Sequence, residues 1–390
     1  MVDFDIAIIG GGLAGASLAA SLADLGQKVA LIERQPPPAP VAEWDSRVYT
    51  LTPASIEFLD RIGAWRGVPT ERVTPIHDIQ VFGDDERSRL DFSAYDAGLL
   101  QLGATVESGR LTYALWQGLE RQRNLSLICP AQPSQLRRVG NGVEIGLDLG
   151  RLVTTRLLVG ADGADSWVRR AAGIEARTDD YDQLGVVANF ACERAHRHVA
   201  YQWFRSDGVL AYLPLPERRV SIVWSTSRVH ARELLALPSG AFCARVSEAG
   251  RDVLGGLQPL TRPAAFPLSR MVSERMATER IALIGDSAHV IHPLAGQGIN
   301  LGVGDAHCLS DLLRDAQDPG DRGLLRRFER SRAEDILGLR WVTDGLFRLF
   351  ESKHTAIRRM RNLGLNLTNF NPVLKTLLTR RATAVGRGFH

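Results

Sequence analysis

Three places in the chain set glycines and an acid directly behind an apolar run. The first is Gly10-x-Gly12-x-x-Gly15 after "IAII", with Glu33 closing the next apolar stretch 18 residues past Gly15. Gly10 permits a tight turn, Gly12 lets the backbone approach a pyrophosphate, and Gly15 lets helix and strand pack closely. A helix starting there offers free N–H groups and a positive dipole to phosphates. Glu33 stands about where a carboxylate reaches ribose hydroxyls. This is a dinucleotide-binding pattern, and by itself it does not separate NAD from FAD.

The second place is "GADGADSWVRR", where Asp162-Gly163 follows an apolar strand and precedes Ser166 and Arg169. Taken alone it reads equally as a turn capping a short helix, with Ser166 as N-cap. The third is "GDSAHVIHPLAGQGINLG", from Gly285 to Gly302. Asp286 at a strand end suits a polyol such as a ribityl chain. The glycine-rich helix start at Gly296, Gln297, Gly298, Ile299 and Asn300 suits a group that becomes negative, as a reduced flavin does. Two loops nearly three hundred residues apart are then the two ends of one extended FAD site. His289, His292 and Pro293 sit beside the expected flavin face. Either the histidines orient the turn through backbone bonds, or His292 and the Pro293 carbonyl contact a substrate, His292 as a proton acceptor.

These residues need rigid elements behind them. "FDIAIIGGGLAGASLAASLADLGQKVALIER" reads as a strand over 6–9, a helix over 13–25 and a strand over 29–32. The prolines of "QPPPAP" mark a surface loop. A helix is expected over 110–122, and strands in "LSLICP", "GVEIGLDL" and "TTRLLVGADG". Four further strands are expected between 183 and 227, helix over 231–250, and mostly helix from 299 onward. The expected fold class is α/β, α+β overall. A Rossmann-like FAD-binding domain (1–71, 101–180 and 276–330) is interrupted by a mostly antiparallel β substrate domain (72–100 and 181–275), with a helical region over 331–390. Tyr181, Gln183, Trp203, Phe204, Tyr212 and Trp224 fall in the β block, as the wall of a pocket or as plain core.

Composition narrows the class. The chain has 390 residues and a formal net charge of +3, which gives no case for nucleic-acid binding. No apolar run reaches the roughly 18 residues that span a bilayer. The early apolar stretch has Asp3 and Asp5 where a signal peptide has cations, so it reads as a strand. Cys129, Cys192, Cys243 and Cys308 form no CxxC pair, so no metal site is expected, and they read as free thiols of a reducing cytoplasm. Charge is uneven: no acid follows Glu351, while eight lysines and arginines do.

With the three motifs in place, the sequence resembles the single-component aromatic flavin hydroxylases of the p-hydroxybenzoate hydroxylase class. It resembles most the hydroxylases of ubiquinone biosynthesis. The likeness runs nearly end to end through "AIIGGGLAGASLAASL", "DSRVYTLTPASIEFLDRIGAW", "LLVGADGADSWVRRAAGI", "YDQLGVVANF", "LAYLPLP" and "IALIGDSAHVIHPLAGQGINLGVGDAHCL". It implies that Glu33-Arg34, Arg47, Asp162 and the Gly285–Asn300 motif bind FAD. Relatives usually carry Asn or Arg where this chain has Ser108; Arg110 stands two residues on. The implied reaction is hydroxylation of the ring of a polyprenylated phenol through a flavin 4a-hydroperoxide. NAD(P)H or an electron-transfer protein would be the reductant, and dioxygen the co-substrate. There is no second GxGxxG for a separate nicotinamide domain. A flavin-dependent reductase, a hydroxylase of a soluble aromatic, and a non-catalytic flavin-bound scaffold are the alternatives. The implied partners are the phenol, a ubiquinone-biosynthesis complex and, through the basic C-terminal segment, the inner face of the membrane; the expected location is otherwise cytoplasmic.

Overall fold

The computed structural model describes residues 2–85, 88–291, 297–351, 368–369 and 371–386. His292, Pro293 and Gly296 lie outside the described residues, as do the arginines at 358, 359 and 361.

Among the described residues there are three sheets. In order along the sequence the strands are β1 (Phe4–Ile9), β2 (Val29–Ile32), β3 (Val48–Leu51), β4 (Val73–Ile76), β5 (Asp78–Phe82), β6 (Arg89–Ser93) and β7 (Gly103–Glu107). There follow β8 (Leu125–Ile128), β9 (Pro133–Val139), β10 (Gly142–Leu147), β11 (Leu152–Gly160), β12 (Ala176–Cys192), β13 (Val199–Arg205), β14 (Gly208–Leu215) and β15 (Arg219–Ser227). The last are β16 (Leu257–Pro259), β17 (Ala264–Ser273), β18 (Ala277–Thr278), β19 (Ile281–Leu283) and β20 (His289–Val290). The helices are α1 (Leu13–Ser21), α2 (Pro53–Arg61), α3 (Ala94–Ala97), α4 (Ser108–Leu119), α5 (Trp167–Ala171), α6 (Arg228–Ala236), α7 (Ser239–Ala249), α8 (Gly298–Arg314), α9 (Arg322–Glu351) and α10 (Pro372–Thr383).

The first sheet has the parallel order β19-β11-β1-β2-β8. Its strands β1, β2 and β19 are buried along most or all of their length, as a parallel sheet covered on both faces requires. The second runs β20-β17-β12-β15-β14-β13-β5-β6, antiparallel except between β13 and β5. The third is a small antiparallel unit, β3-β7-β4. Short β20 lies within the third motif yet belongs to the second sheet through β17, so it stitches that motif to the neighbouring sheet.

Two helical stretches differ from the sequence reading for stated reasons, and β16, β17 and β20 were not expected. The first helix stops at Ser21, and tight turns close residues 22–25 before Gly26. The stretch 231–250 is two helices, because Leu237 is extended before Pro238 and no helix continues through that pair. Trp203, Tyr212 and Trp224 are core: with Phe190, Phe242 and Val246 they fill the space between the second sheet and α6–α7. The opposite face of that sheet is different. Val187, Val223 and Ala211 pair in a row across β12, β15 and β14, and all three are only half-buried.

Candidate active site

Every motif acid sits at the carboxyl end of a parallel strand, where open α/β sheets place ligands. Glu33 follows β2, Asp162 follows β11 and Asp286 follows β19, side by side on one sheet edge with the α1 and α8 N-termini.

The first loop is held by backbone packing. Gly10 has φ +105°, and a Cβ there would collide with the Ala161 carbonyl; a Cβ on Gly15 would collide with the Gly10 carbonyl. Gly12 is unlike both. It caps α1 with φ −67°, and a Cβ there would meet no protein atom within 4 Å. Glu33 folds over the loop: Oε2 accepts from Gly11 N at 2.6 Å, and Oε1 accepts from Arg34 N at 2.7 Å and Gln35 N at 3.2 Å. Trp116 donates to the Gly11 carbonyl at 2.8 Å from the far side. The Arg34 side chain is exposed.

At the second motif the carboxylate is spent locally. Asp162 accepts from Ser166 Oγ at 2.5 Å, Trp167 N at 2.7 Å and Val168 N at 3.1 Å, so it caps α5 together with Ser166. Arg169 links this turn to the third motif, donating to the Ser287 carbonyl and to the Ala164 carbonyl, each at 2.8 Å.

Asp286 is the contrasting case. Among the described residues no group hydrogen-bonds its carboxylate, and the residue as a whole is exposed. Protein crowding around the rest of the side chain raises its pKa, against the pull of His289 and Arg47. Its turn begins at Gly285, φ +62°, packed against Ala14 of α1 and Gly302 of α8.

Gln297 precedes α8, and Gly298 and Ile299 open it half-buried. Asn300 is wholly buried and its side chain is used up: Nδ2 donates to Thr50 O at 2.9 Å, and Oδ1 accepts from Thr52 N at 2.9 Å. Thr52, the N-cap of α2, in turn donates from Oγ1 to Val385 O at 2.5 Å.

Arg47 is exposed, with its guanidinium over the Tyr49 ring and no carboxylate partner among the described residues. Its loop is pinned from behind. Buried Glu107 accepts from Asp45 N at 2.8 Å and pairs with Arg72 at 3.0 Å and Arg110 at 2.8 Å. Arg110 is therefore committed to Glu107 and the Val41 carbonyl. Asn189 of β12 donates to Asp45 O at 2.8 Å, so the half-buried aliphatic face of the second sheet looks toward this loop.

Sequence reading did not find Glu107, Asn189, Asp305 or Arg332. The aliphatic row was readable only as strand alternation without a known inner face. Of the motif residues, the structure gathers Gly12, Glu33, Arg47, Asp286 and the α8 start on one edge, and it turns the side chains of Asp162 and Asn300 to internal bonds.

These residues fit FAD. The open space at Gly12 admits a phosphate, two helix N-termini face the same edge, and the Asp286 carboxylate, with no hydrogen bond among the described residues, can accept a hydroxyl.

A family model described as an FAD binding domain matches residues 3–336. The ubiquinone hydroxylase UbiL of Rhodospirillum rubrum is 37% identical over 383 residues, covering 97% of this chain and 89% of its own. The 3-demethoxyubiquinol 3-hydroxylase of Escherichia coli is 34% identical over 377 residues, with 95% and 96% covered. Among solved structures, Pseudomonas aeruginosa PqsL in complex with 2-aminobenzoylacetate gives a TM-score of 0.77 at 24% identity over 94% of this chain and all of its own. The p-nitrophenol 4-monooxygenase PnpA of Pseudomonas putida gives 0.79 at 14% identity, with 98% of each chain covered. At those identities the two structures show a shared fold.

Proposed function

This chain belongs to the family of FAD-dependent hydroxylases of ubiquinone biosynthesis, and from that membership we propose how its own residues carry the activity. The protein is an FAD-dependent aromatic-ring monooxygenase acting on a phenol of that pathway. The finer reading is that the phenol carries a polyprenyl chain, that NAD(P)H or an electron-transfer protein is the reductant, and that dioxygen is the co-substrate. Bound FAD supplies the oxygen-transfer chemistry. Residues 1–71, 101–180 and 276–330 form the FAD unit, and residues 72–100 and 181–275 form the substrate unit.

In this reading the space before Gly12 admits the pyrophosphate, and the lone pair left on Glu33 faces the adenosine ribose with Arg34 beside it. Asp286 accepts from the ribityl chain, and Arg47 lies along the cofactor. Gln297, Gly298, Ile299 and the backbone N–H of Asn300 present the positive end of α8 to the flavin edge that becomes negative. Asp162 acts indirectly, by capping the turn that Arg169 ties to Ser287. Gly296 completes the glycine-rich approach, and His292 and the Pro293 carbonyl are assigned to the substrate side. The half-buried row Val187, Val223 and Ala211 gives the ring and its tail an apolar, water-poor wall. The carrying observation is the convergence of Gly12, Asp286 and two helix N-termini on one strand edge. The test is incorporation of labelled oxygen from dioxygen into the product, dependent on the phenol. Reductant consumption that never responds to the phenol would leave a scaffold role instead.

The finer location is peripheral contact with the membrane or an acidic partner of a biosynthetic complex. Among the described residues no helix is long and apolar enough to cross a membrane. Helix α10 exposes Leu377 and Leu378, with Arg380 and Arg381 also exposed. Each cation near an anionic surface contributes about 1 kcal/mol. We expect salt-sensitive co-sedimentation with anionic vesicles, reduced when Arg358, Arg359 and Arg361 become glutamine, with FAD content unchanged. Negligible sedimentation at low salt, with identical partner pull-down for both forms, would leave the segment a structural one.

A further inference from the structure

A buried ionic cluster lies directly under the Gly285–Asp286 turn, and none of the roles above uses it. Asp305 of α8 is wholly buried. Its Oδ2 accepts from Gly285 N at 2.8 Å and from His289 Nε2 at 2.7 Å, while Oδ1 accepts from Arg332 Nε at 2.8 Å. Arg332 arrives from α9 and is only 1% exposed. Its other two nitrogens donate to Leu301 O at 3.3 Å and to Asp335 Oδ2 at 2.6 Å. Gly304 makes this route possible: a Cβ there would stand 2.9 Å from Arg332 Nη2.

Stability alone does not account for the cluster. Apolar residues of similar volume replace a buried ion pair at little or no cost, whereas a pair missing one member is strongly destabilising. What the cluster does is geometric. One carboxylate clamps the backbone N–H of Gly285, the imidazole of His289 and a guanidinium from another helix. Burial opposes the charge on Asp305, but His289 and Arg332 outweigh it and hold the carboxyl below its usual range. An ionised carboxylate only accepts, so His289 Nε2 carries the proton. The other ring nitrogen, Nδ1, is buried with no partner among the described residues, so among them Asp305 makes the ring's one hydrogen bond.

We propose that Asp305 and Arg332 are positioning residues of the hydroxylase: they fix the Gly285 turn and the His289 ring, and so aim Asp286 at the cofactor. This rests on the FAD reading of the site. The left-handed conformation of Gly285 defines the direction in which the next residue leaves the strand, and its N–H is the atom Asp305 grips. Arg332 keeps that carboxylate charged and in place.

Two pairs of variants test this on apoprotein titrated with FAD, read by flavin fluorescence quenching and by the thermal midpoint of the apoprotein. His289→Gln puts an amide nitrogen where Nε2 was; His289→Asn cannot reach Asp305. The glutamine form should bind FAD within about twofold of wild type, and the asparagine form about tenfold more weakly, as for a lost buried bond to a charged group. Arg332→Met should weaken FAD by about tenfold, and Arg332→Lys, which retains the charge, should recover most of that loss. Wild-type FAD dissociation constants in Arg332→Met and His289→Asn, with only the thermal midpoint lowered, would make the cluster purely structural and overturn the proposal. Should Arg332→Met fail to fold, the two histidine variants decide, because equal FAD affinity in both also overturns it. Failure of the wild-type apoprotein to take up FAD would strike the FAD reading itself, and the proposal with it.

Discussion

Replacing Gly12 with valine is expected to yield a folded, colourless protein. The three glycines of the first loop are not equivalent. A side chain at Gly10 or Gly15 would strike a backbone carbonyl, so substitution there damages the fold. Gly12 has φ −67°, which any L-residue adopts, and empty space beyond it. A valine there costs the apoprotein little and occupies the approach of the pyrophosphate. Blocking two charge-assisted bonds of roughly 1.5–3 kcal/mol each weakens FAD by about 100-fold or more. Visible absorbance of the purified protein, read beside the thermal midpoint of the apoprotein, checks this. Full flavin occupancy in the variant would mean the first loop does not face the cofactor.

Asp286→Ala should separate binding from folding. A ribityl hydroxyl loses its acceptor, a loss of about 1–3 kcal/mol, or roughly 5–150-fold in the FAD dissociation constant. The apoprotein should respond in the opposite direction. Crowding by the protein raises the Asp286 pKa above the usual aspartate range. A carboxyl whose folded pKa is raised contributes stability below its unfolded pKa, and that contribution is lost as pH rises through the folded value. At neutral pH the wild type bears that cost and the alanine variant does not, so its apoprotein should be at least as stable. An unchanged dissociation constant with a lowered apoprotein midpoint would instead make Asp286 a turn-capping residue.

The parts of this site that could be read from the sequence are those with a local signature. Apolar runs ending in glycine and an acid marked β1, β2, β11 and β19 together with the helices that follow three of them. Alternation and turn residues marked β12 to β15 of the second sheet, while β17, which pairs along β12, carried no signal that was read. What could not be read was orientation and long-range pairing. The Trp203, Tyr212 and Trp224 rings read equally well as pocket or core, because alternation states that two faces exist and not which one α6 and α7 will cover. Asp162 could be read both as an FAD residue and as part of a helix-capping turn, and its side chain makes the cap. Asn300 bonds to the protein because of where Thr50 and Thr52 lie in space, which no local pattern shows. Asp305 and Arg332 are 27 residues apart on different helices, and a single buried charge has no period. The break at Pro238 was missed, although a proline within an expected helix is itself a local signal.

The last described turn has a practical consequence for anyone reshaping this protein. Thr52 holds the Val385 carbonyl with the same hydroxyl that lies within reach of Asn300, and a Cβ on Gly304 would stand 3.0 Å from Gly386 Cα. His307 and the Gly386 carbonyl are 3.2 Å apart. Residues 384–386 are thus a wedge driven between α2 and α8, not a trailing end. Cutting the chain after Glu351 to remove the basic segment would also draw that wedge and loosen the start of α8 at the same stroke. A truncated protein that lost both vesicle binding and flavin would then report one mechanical fault as two functions, so the basic segment is better dissected by point substitution, with any tag set beyond Gly386 on a flexible spacer.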